Sequence, residues 1–438
     1  MKARKRIISL LLAALMVTSM AGCGKGSGNE SAQESGGSEK STEGEKEKVV
    51  LSCSDSALVE LMKEKLKSFE EKENIEVEIQ SGFDGWPDYW TKTMTAIAGG
   101  TAPDILCVKE TYMAELQSKG AALDLTDYIA KDESLAPEDF MDAAWKSVEF
   151  EDKIYGVPWR ANMICMYYNT DILKEYGYDK PPATWDELKE YAKVMTDESK
   201  GQYGFMWYEL GTREPCFAWW YGFYLMAGGN VWKNGVAGED FNIDNQAGLD
   251  ALNLQLDMIY KDKSAVGPTV QETNLAENGK VAMWMQGSWN LYQYDSTMPD
   301  VNWDVALLPG YKNSAHNALV DDYAITKDSK HPDAAYKVIS FLSQPENDYY
   351  FSTNTGNMPV RKVTYEEKSL AEDEKFQVFV DAFNMKETQP KPLCGGYEEV
   401  GVAVATELQK AWFGQVSGEE ALKSADKAAN SILERVNK

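Results

Sequence analysis

Apolar positions between residues 49 and 108 change period several times, and each change marks a new element. Val49, Val50 and Leu51 open a short buried strand that runs to Cys53. Leu58, Leu61, Met62, Leu66 and Phe69 then recur at helical spacing. In Ile75-Glu76-Val77-Glu78-Ile79-Gln80 apolar and polar residues alternate, as a strand with one wet face requires. A loop over Ser81–Asp88 leads into a predicted helix over Tyr89–Ala98, which Gly99-Gly100 ends. Pro103 precedes a further strand, Asp104-Ile105-Leu106-Cys107-Val108. Strand and helix alternating in this order predict parallel sheets with helices on both faces.

A second set begins after Tyr155-Gly156-Val157-Pro158. Thr184-Trp185-Asp186-Glu187 reads as a capping box: the Thr184 hydroxyl accepts from the Glu187 amide and the Glu187 carboxylate reaches back. Leu188, Tyr191 and Met195 extend that helix, and Trp185 belongs to its packing. Leu249, Leu252, Leu256 and Ile259 mark another helix, and Ala335, Val338, Ile339 and Leu342 a third. Ser417-Gly418-Glu419-Glu420 is a second capping box, heading a helix with Leu422, Ala425, Ala429, Ile432 and Val436. No internal repeat is present.

The N-terminus follows a different logic. Lys2, Arg4, Lys5 and Arg6 precede an apolar run from Ile7 to Met20, the layout of a secretory signal. That run is too short for a membrane-spanning helix, which needs about 20 residues. Ala21-Gly22-Cys23 resembles a bacterial lipobox, with Met20 where Leu is usual; cleavage would leave Cys23 as a lipid-carrying N-terminus. Residues 1–22 are thus expected to be a signal peptide. Residues 23–48, mostly Gly, Ser, Glu, Lys, Gln and Asn, are expected to be a disordered tether. The Gly24–Gly28 run has neither a strand before it nor a helix after it, and is no phosphate cradle.

About 390 residues remain, enough for two domains or one fold of two lobes. The formal net charge is −26, and loss of the four basic residues of the leader takes it to −30. So acidic a chain is a poor partner for nucleic acid, and anchoring to anionic lipid would fall to acyl chains on Cys23. Cys53, Cys107, Cys165, Cys216 and Cys394 are scattered without a C-x-x-C pair; they suit buried thiols, with one disulfide left open, and no metal site. Thirteen Trp and 23 Tyr exceed what cores of this size usually need. His316 and His331 are the two histidines, and neither sits in a catalytic signature; His331 in Lys330-His331-Pro332-Asp333 reads as a solvated helix start. No Walker loop, H-E-x-x-H or G-x-S-x-G occurs, so no cofactor is expected. Paired carboxylates among 70 acidic residues leave a glycosidase as the enzyme alternative.

Tyr89-Trp90-Thr91-Lys92 running into Ala96-Ile97-Ala98-Gly99-Gly100-Thr101-Ala102-Pro103-Asp104, with Gly120-Ala121-Ala122-Leu123-Asp124-Leu125-Thr126, forms a familiar order. Tyr167-Tyr168-Asn169-Thr170-Asp171, Pro182–Leu188, Asn278–Met283, Gly287-Ser288-Trp289 and Ala334-Ala335 with Phe341-Leu342 continue it. In this order the chain resembles the family 1 extracellular solute-binding proteins, the sugar-binding lipoproteins of ABC importers. It departs from them at Val320-Asp321-Asp322-Tyr323, where the family often has a Gly-Gly pair.

The resemblance implies an α/β fold of the two-lobed, type II periplasmic-binding-protein kind, each lobe a mainly parallel sheet flanked by helices. Lobe 1 would hold residues 49–158 and 319–361, lobe 2 residues 159–318 and 362–438. Hinge crossings are expected near Pro158-Trp159, Leu319 and Met358–Arg361. Aromatic plates and fixed polar groups at strand ends would hold the ligand. Trp289 matches the family's cleft tryptophan. Asp84 and Trp86 lie in a loop after a strand, and Glu110 follows a strand where the family presents a polar contact. Glu214 and Trp219 resemble an acidic-plus-aromatic segment of maltose-binding relatives. Arg160, Asp322 and Tyr397 complete the expected site. The implied function is capture of a carbohydrate, an oligosaccharide by preference, and delivery to ABC permease subunits by a lipid-anchored monomer on the outer face of the membrane. The alternatives are a binding protein for a non-sugar solute, a secreted glycosidase, an adhesin and a sensor.

Overall fold

The chain begins its fold as the hydrophobic pattern predicts. Strand β1 (Glu47–Ser52) pairs in parallel with β2 (Ile75–Gln80) on one side and β3 (Ile105–Lys109) on the other. Helices Ser56–Glu73 and Gly85–Ala98 make the two crossovers. The computed structural model describes residues 46–437 apart from 209, 211–213 and 273, and only the backbone at 57, 214–216 and 368. The leader, Cys23 and the tether up to residue 45 lie outside the described residues.

A small hairpin of β4 (Glu149–Phe150) and β5 (Lys153–Ile154) precedes the long strand β6 (Gly156–Asn169). The strands β7 (Tyr203–Met206), β8 (Val281–Gly287), β9 (Trp303–Ala306), β10 (Asn317–Ile325) and β11 (Gln389–Pro390) follow. They join one sheet of order β2-β1-β3-β10-β6-β8-β7, with β11 beside β10 and β9 beside β6. Its ends are parallel, β1 with β2 and β3 at one, β7 with β8 at the other. Its middle is antiparallel, because β10 runs against both β3 and β6, and β6 against β8.

Two hydrophobic cores flank this sheet, and β6 serves both. Ala161, Met163, Cys165 and Tyr167 enter the first core, while Ile164 and Met166 enter the second. The period-two alternation of strand side chains makes this possible, since successive residues point to opposite faces. The first core gathers Leu51, Leu58, Ile105, Val157, Tyr323, Ile339 and Phe379, the second Phe205, Phe223, Leu252, Val404, Trp412 and Leu433. Tyr294, Trp303, Phe376, Phe379 and Phe383 also join the first core.

Local features follow their sequence signals closely. Glu187 N donates to Thr184 Oγ1 over 3.2 Å, while the Glu187 carboxylate accepts from Ala183 N, one residue before the expected partner. Glu420 N donates to Ser417 Oγ at 3.2 Å. The helix expected from Tyr89 starts four residues earlier, at Gly85. Asp88 Oδ2 accepts from the Asp84 amide at 3.0 Å and secures that extra turn, so Trp86 sits in a helix rather than a loop. His331 stands just before the helix Pro332–Leu342 without a side-chain capping bond, and its Nδ1 meets Glu47 Oε1 at 2.9 Å. His316 is buried in the second half of the chain, its pKa pushed down to about 4 by burial. Cys53, Cys107, Cys165 and Cys394 are buried free thiols.

Candidate functional site

The sequence offers thirteen tryptophans, and ten of them are buried. The other three, Trp86, Trp219 and Trp289, all line one cavity of about 830 Å³. Trp86 packs against the first core, Trp219 and Trp289 against the second. Indole rings left half-exposed in a concavity offer flat apolar plates to whatever enters it.

Each plate has a local cause. Trp86 projects from the first turn of Gly85–Ala98, edge-on to Tyr89 and Tyr112 at 5.7 and 5.9 Å between ring centroids. Lys109 Nζ stands 5.3 Å from the same ring centroid. Trp219 lies on the helix Glu214–Met226, 5.0 Å from Tyr208 and 6.4 Å from Trp289. Trp289 follows β8, and its ring folds back over Gly287, where a Cβ would come within 2.3 Å of the indole. Only glycine lets the ring lie there.

The polar part of the wall is a chain of compensated charges. Arg160 Nε donates to Asp321 Oδ2 at 2.5 Å and Nη1 to Asp55 Oδ2 at 2.7 Å. Burial opposes the charge on Arg160, but Asp321 and Asp55 outweigh it and hold its pKa above the ordinary value. Glu110 opens the helix Glu110–Ser118 and is buried; burial pushes its carboxyl up, partly offset by Lys391, whose Nζ lies 3.5 Å from Oε1. Asn162 accepts from Ser288 Oγ at 2.9 Å. Lys109, Arg160 and Lys391 thus face Asp55, Glu110 and Asp321 in the lining, three charges of each sign.

The register of β10 explains which carboxylate serves. Asp321 pairs with Arg160 and Asp322 with Pro158, leaving Trp159 as the extra residue of a β-bulge in β6. Proline cannot donate to a ladder, and inside a sheet it is tolerated at such bulges. Asp321 faces the cavity, whereas Asp322 is fully buried beneath it and accepts from Ser147 Oγ at 2.7 Å. Burial pushes the Asp322 carboxyl well up, and Glu110 and Asp321 add to this against the Ser147 hydrogen bond.

The profile of the bacterial extracellular solute-binding proteins matches residues 54–349. The chain belongs to this family. Its members are solute-binding proteins rather than enzymes. A binding protein of Brucella abortus is 26% identical over 390 residues, covering 85% of this chain and 90% of its own. The sn-glycerol-3-phosphate-binding periplasmic protein UgpB of Escherichia coli K12 is 26% identical over 371 residues, 79% of this chain and 83% of that one. Among solved structures, maltose-bound MalE3 of T. maritima superposes with a TM-score of 0.75 at 28% identity, over 88% of this chain and 99% of that one. A solute-binding protein of Thermotoga lettingae bound with α-D-tagatose reaches a TM-score of 0.77 at 24% identity, over 88% and 100%. These likenesses show the two-lobed α/β fold of the family.

Within this solute-binding protein, five residues expected from sequence meet in one lining: Trp86, Glu110, Arg160, Trp219 and Trp289. Asp84 is exposed and outside that lining. Asp322 lies behind it, one residue out of phase because of the bulge. Tyr397 heads the helix Tyr397–Trp412 and is buried in the second core, 6.3 Å from Phe217. Its ring lies 5.8 Å from Lys391 Nζ, behind that residue rather than in the lining. The Glu214 side chain lies outside the described residues.

Sequence reasoning passed over Asp55, Lys109, Asn162, Tyr292, Asp321 and Lys391, all of them in the lining. Asp55 and Lys109 stand at the carboxyl ends of the parallel strands β1 and β3, the edge where open α/β sheets hold ligands, and could have been found by that rule. Pro158 was the one hint of the bulge that selects Asp321. Lys391 carries no local signal.

Proposed function

We propose that this protein captures a carbohydrate, by preference an oligosaccharide, in the tryptophan-lined cavity and hands it to the permease of an ABC importer. The single observation that carries the reading is the sorting of tryptophans: the three that are not buried all line one cavity. Sugar C–H faces pack on indole plates, while Asp, Asn and Arg groups exchange hydrogen bonds with hydroxyls. A volume near 830 Å³ lies toward the upper end of small-molecule sites, which run about 300–1,000 Å³, and suits several sugar rings better than one. The T. maritima relative, whose structure is bound with maltose, supports the same class.

A phosphorylated polyol is the second reading, favoured by the relative named for sn-glycerol 3-phosphate and by three cations in the lining. The pairing of Arg160 with Asp321 and Asp55, and of Lys391 with Glu110, argues against it. A phosphate would have to displace these carboxylates to reach compensated cations. The proposal includes a lipid anchor at Cys23, a monomer, and lobes divided near residues 158, 318 and 361. A thermal-shift screen of neutral oligosaccharides alongside sn-glycerol 3-phosphate, followed by calorimetry, tests it. Stabilisation by neutral oligosaccharides is expected; stabilisation by the phosphate alone would replace the first reading with the second.

A further inference from the structure

The register of the first sheet brings two cysteines side by side. β1 and β3 run in parallel with Leu51 opposite Ile105 and Ser52 opposite Leu106, so Cys53 comes next opposite Cys107. Side chains alternate between faces along a strand, and residues in register point to the same face. Neighbouring strands lie about 4.7–4.9 Å apart, within the roughly 4.4–6.8 Å between Cα atoms that a disulfide spans. Both cysteines are buried in the first core, and the structure carries them as thiols. Burial above all, and then a hydrogen bond with the Cys53 thiol, pushes the Cys107 thiol well up. Cys165 stands opposite Gln286 instead, and Cys394 lies in the second core. Among the described residues, Cys53 and Cys107 are the one cysteine pair that shares a register.

Proteins of this family are extracellular, and disulfides form and persist in such oxidising surroundings. In the finished fold, however, an oxidant cannot reach the pair: Cys53 is 1% exposed and Cys107 0%. Tyr323 of β10 stands opposite Cys107 on its other side. Until β10 takes that place, β3 is the edge of the sheet and the pair is accessible. We propose that Cys53 and Cys107 are a disulfide-forming site, oxidised before β10 covers β3 and sealed in the core afterwards. The oxidant is an external disulfide, as thiol–disulfide oxidoreductases and small-thiol disulfides both carry. The Cys107 thiolate attacks one of its sulfurs and expels the other; the Cys53 thiolate then attacks the Cys107 sulfur and expels the first. The protons of the two cysteines end on the carrier's two thiols, and two electrons reduce it. The bond encloses residues 54–106, both crossover helices included. It also ties together the two strand ends that present Asp55 and Lys109 to the cavity, each two residues beyond its cysteine.

The test uses the full-length protein, recovered after export from a bacterial host and alkylated in denaturant without reductant. Peptide mapping by mass should find the Cys53 and Cys107 peptides joined, two hydrogens lighter than their sum. A dithiol reductant should leave the bond intact in the folded protein, because it is buried, and split it in denaturant. The oxidised form should melt about 5 °C above the reduced one, the scale expected for closing a loop of this length in a chain of this size. Full alkylation of both cysteines without reductant overturns the site, and so does a bond from either of them to another cysteine. A bond that the reductant opens as fast in the folded protein as in denaturant overturns the sealing by β10. The mapping needs no substitution, so it decides the matter whether or not the reduced form refolds.

Discussion

Replacing Gly287 by alanine perturbs the position of a binding plate without removing it. The Gly287 backbone is extended, with φ −82° and ψ 161°, so alanine is conformationally welcome there. Its Cβ, however, would lie 2.3, 2.4 and 2.5 Å from Cζ3, Cη2 and Cε2 of Trp289, where ordinary contacts are 3.4–4 Å. The ring must therefore retreat by about 1 Å, and the open direction is the cavity. A misfit of about 0.5–1 Å already forfeits a quarter to a half of each dispersion contact on a plate. The expected loss is about 1.4–2.8 kcal/mol, roughly 10- to 100-fold in Kd. Trp289→Ala, which deletes the plate, should cost more, about 2–4 kcal/mol. Stability should hardly change in Gly287→Ala, because the reduced freedom of the unfolded chain contributes about 0.4–1 kcal/mol in its favour. Calorimetry with the best neutral oligosaccharide and an unliganded melt on the same samples decide the matter. Wild-type affinity in Gly287→Ala would refute the plate. A collapsed Tm with intact affinity in the folded fraction would make Gly287 and Trp289 packing residues only.

Three further outcomes are expected. Cys23→Ala should move the protein from the membrane fraction to the medium, and unchanged fractionation would end the lipid-anchor proposal. Incubated with its best oligosaccharide, the protein should return it unchanged in mass, and steady hydrolysis would revive the glycosidase alternative. Burial pushes the Asp348 carboxyl up to about 6, against hydrogen bonds from Thr364, Val360 and Arg361. Because the folded value exceeds the unfolded one, Asp348 adds stability that is complete below about pH 4 and lost as pH rises through about 6, up to about 3 kcal/mol. The stability of wild type relative to Asp348→Asn, read from denaturant titrations, should fall by up to about 3 kcal/mol between pH 4 and pH 7; a difference independent of pH would refute the assignment.

Much of the architecture was legible because it rests on local rules. The alternation of Ile75, Val77 and Ile79 and the helical spacing from Leu58 to Phe69 predicted β2 and the first crossover, and the structure has both. The antiparallel middle of the sheet was not legible, since it depends on Asn317–Ile325 returning between β3 and β6, a long-range pairing with no local trace. Candidate residues followed the same division. Trp86 and Glu110 lie beside strand ends, where position along the chain nearly fixes position in space. Asp321 and Asp322 are chemically identical neighbours, and a bulge in another strand decides which one faces the cavity. Tyr397 follows two glycines, which drew attention to it, but Gly396 turns the chain at φ +73° so that the ring enters the core.

The place of β10 also bears on how such a chain can fold at all. β3 ends at Lys109 and its partner β10 begins at Asn317, so the first sheet lacks its neighbour until most of the polypeptide exists. At about 5–20 residues per second, the roughly 200 intervening residues take about 10–40 s to emerge. Throughout that interval β3, apolar from Ile105 to Val108, has an unpaired edge. Contacts so distant in sequence also form slowly once the chain is complete. Such a lag leaves that edge open to premature pairing with neighbouring strands.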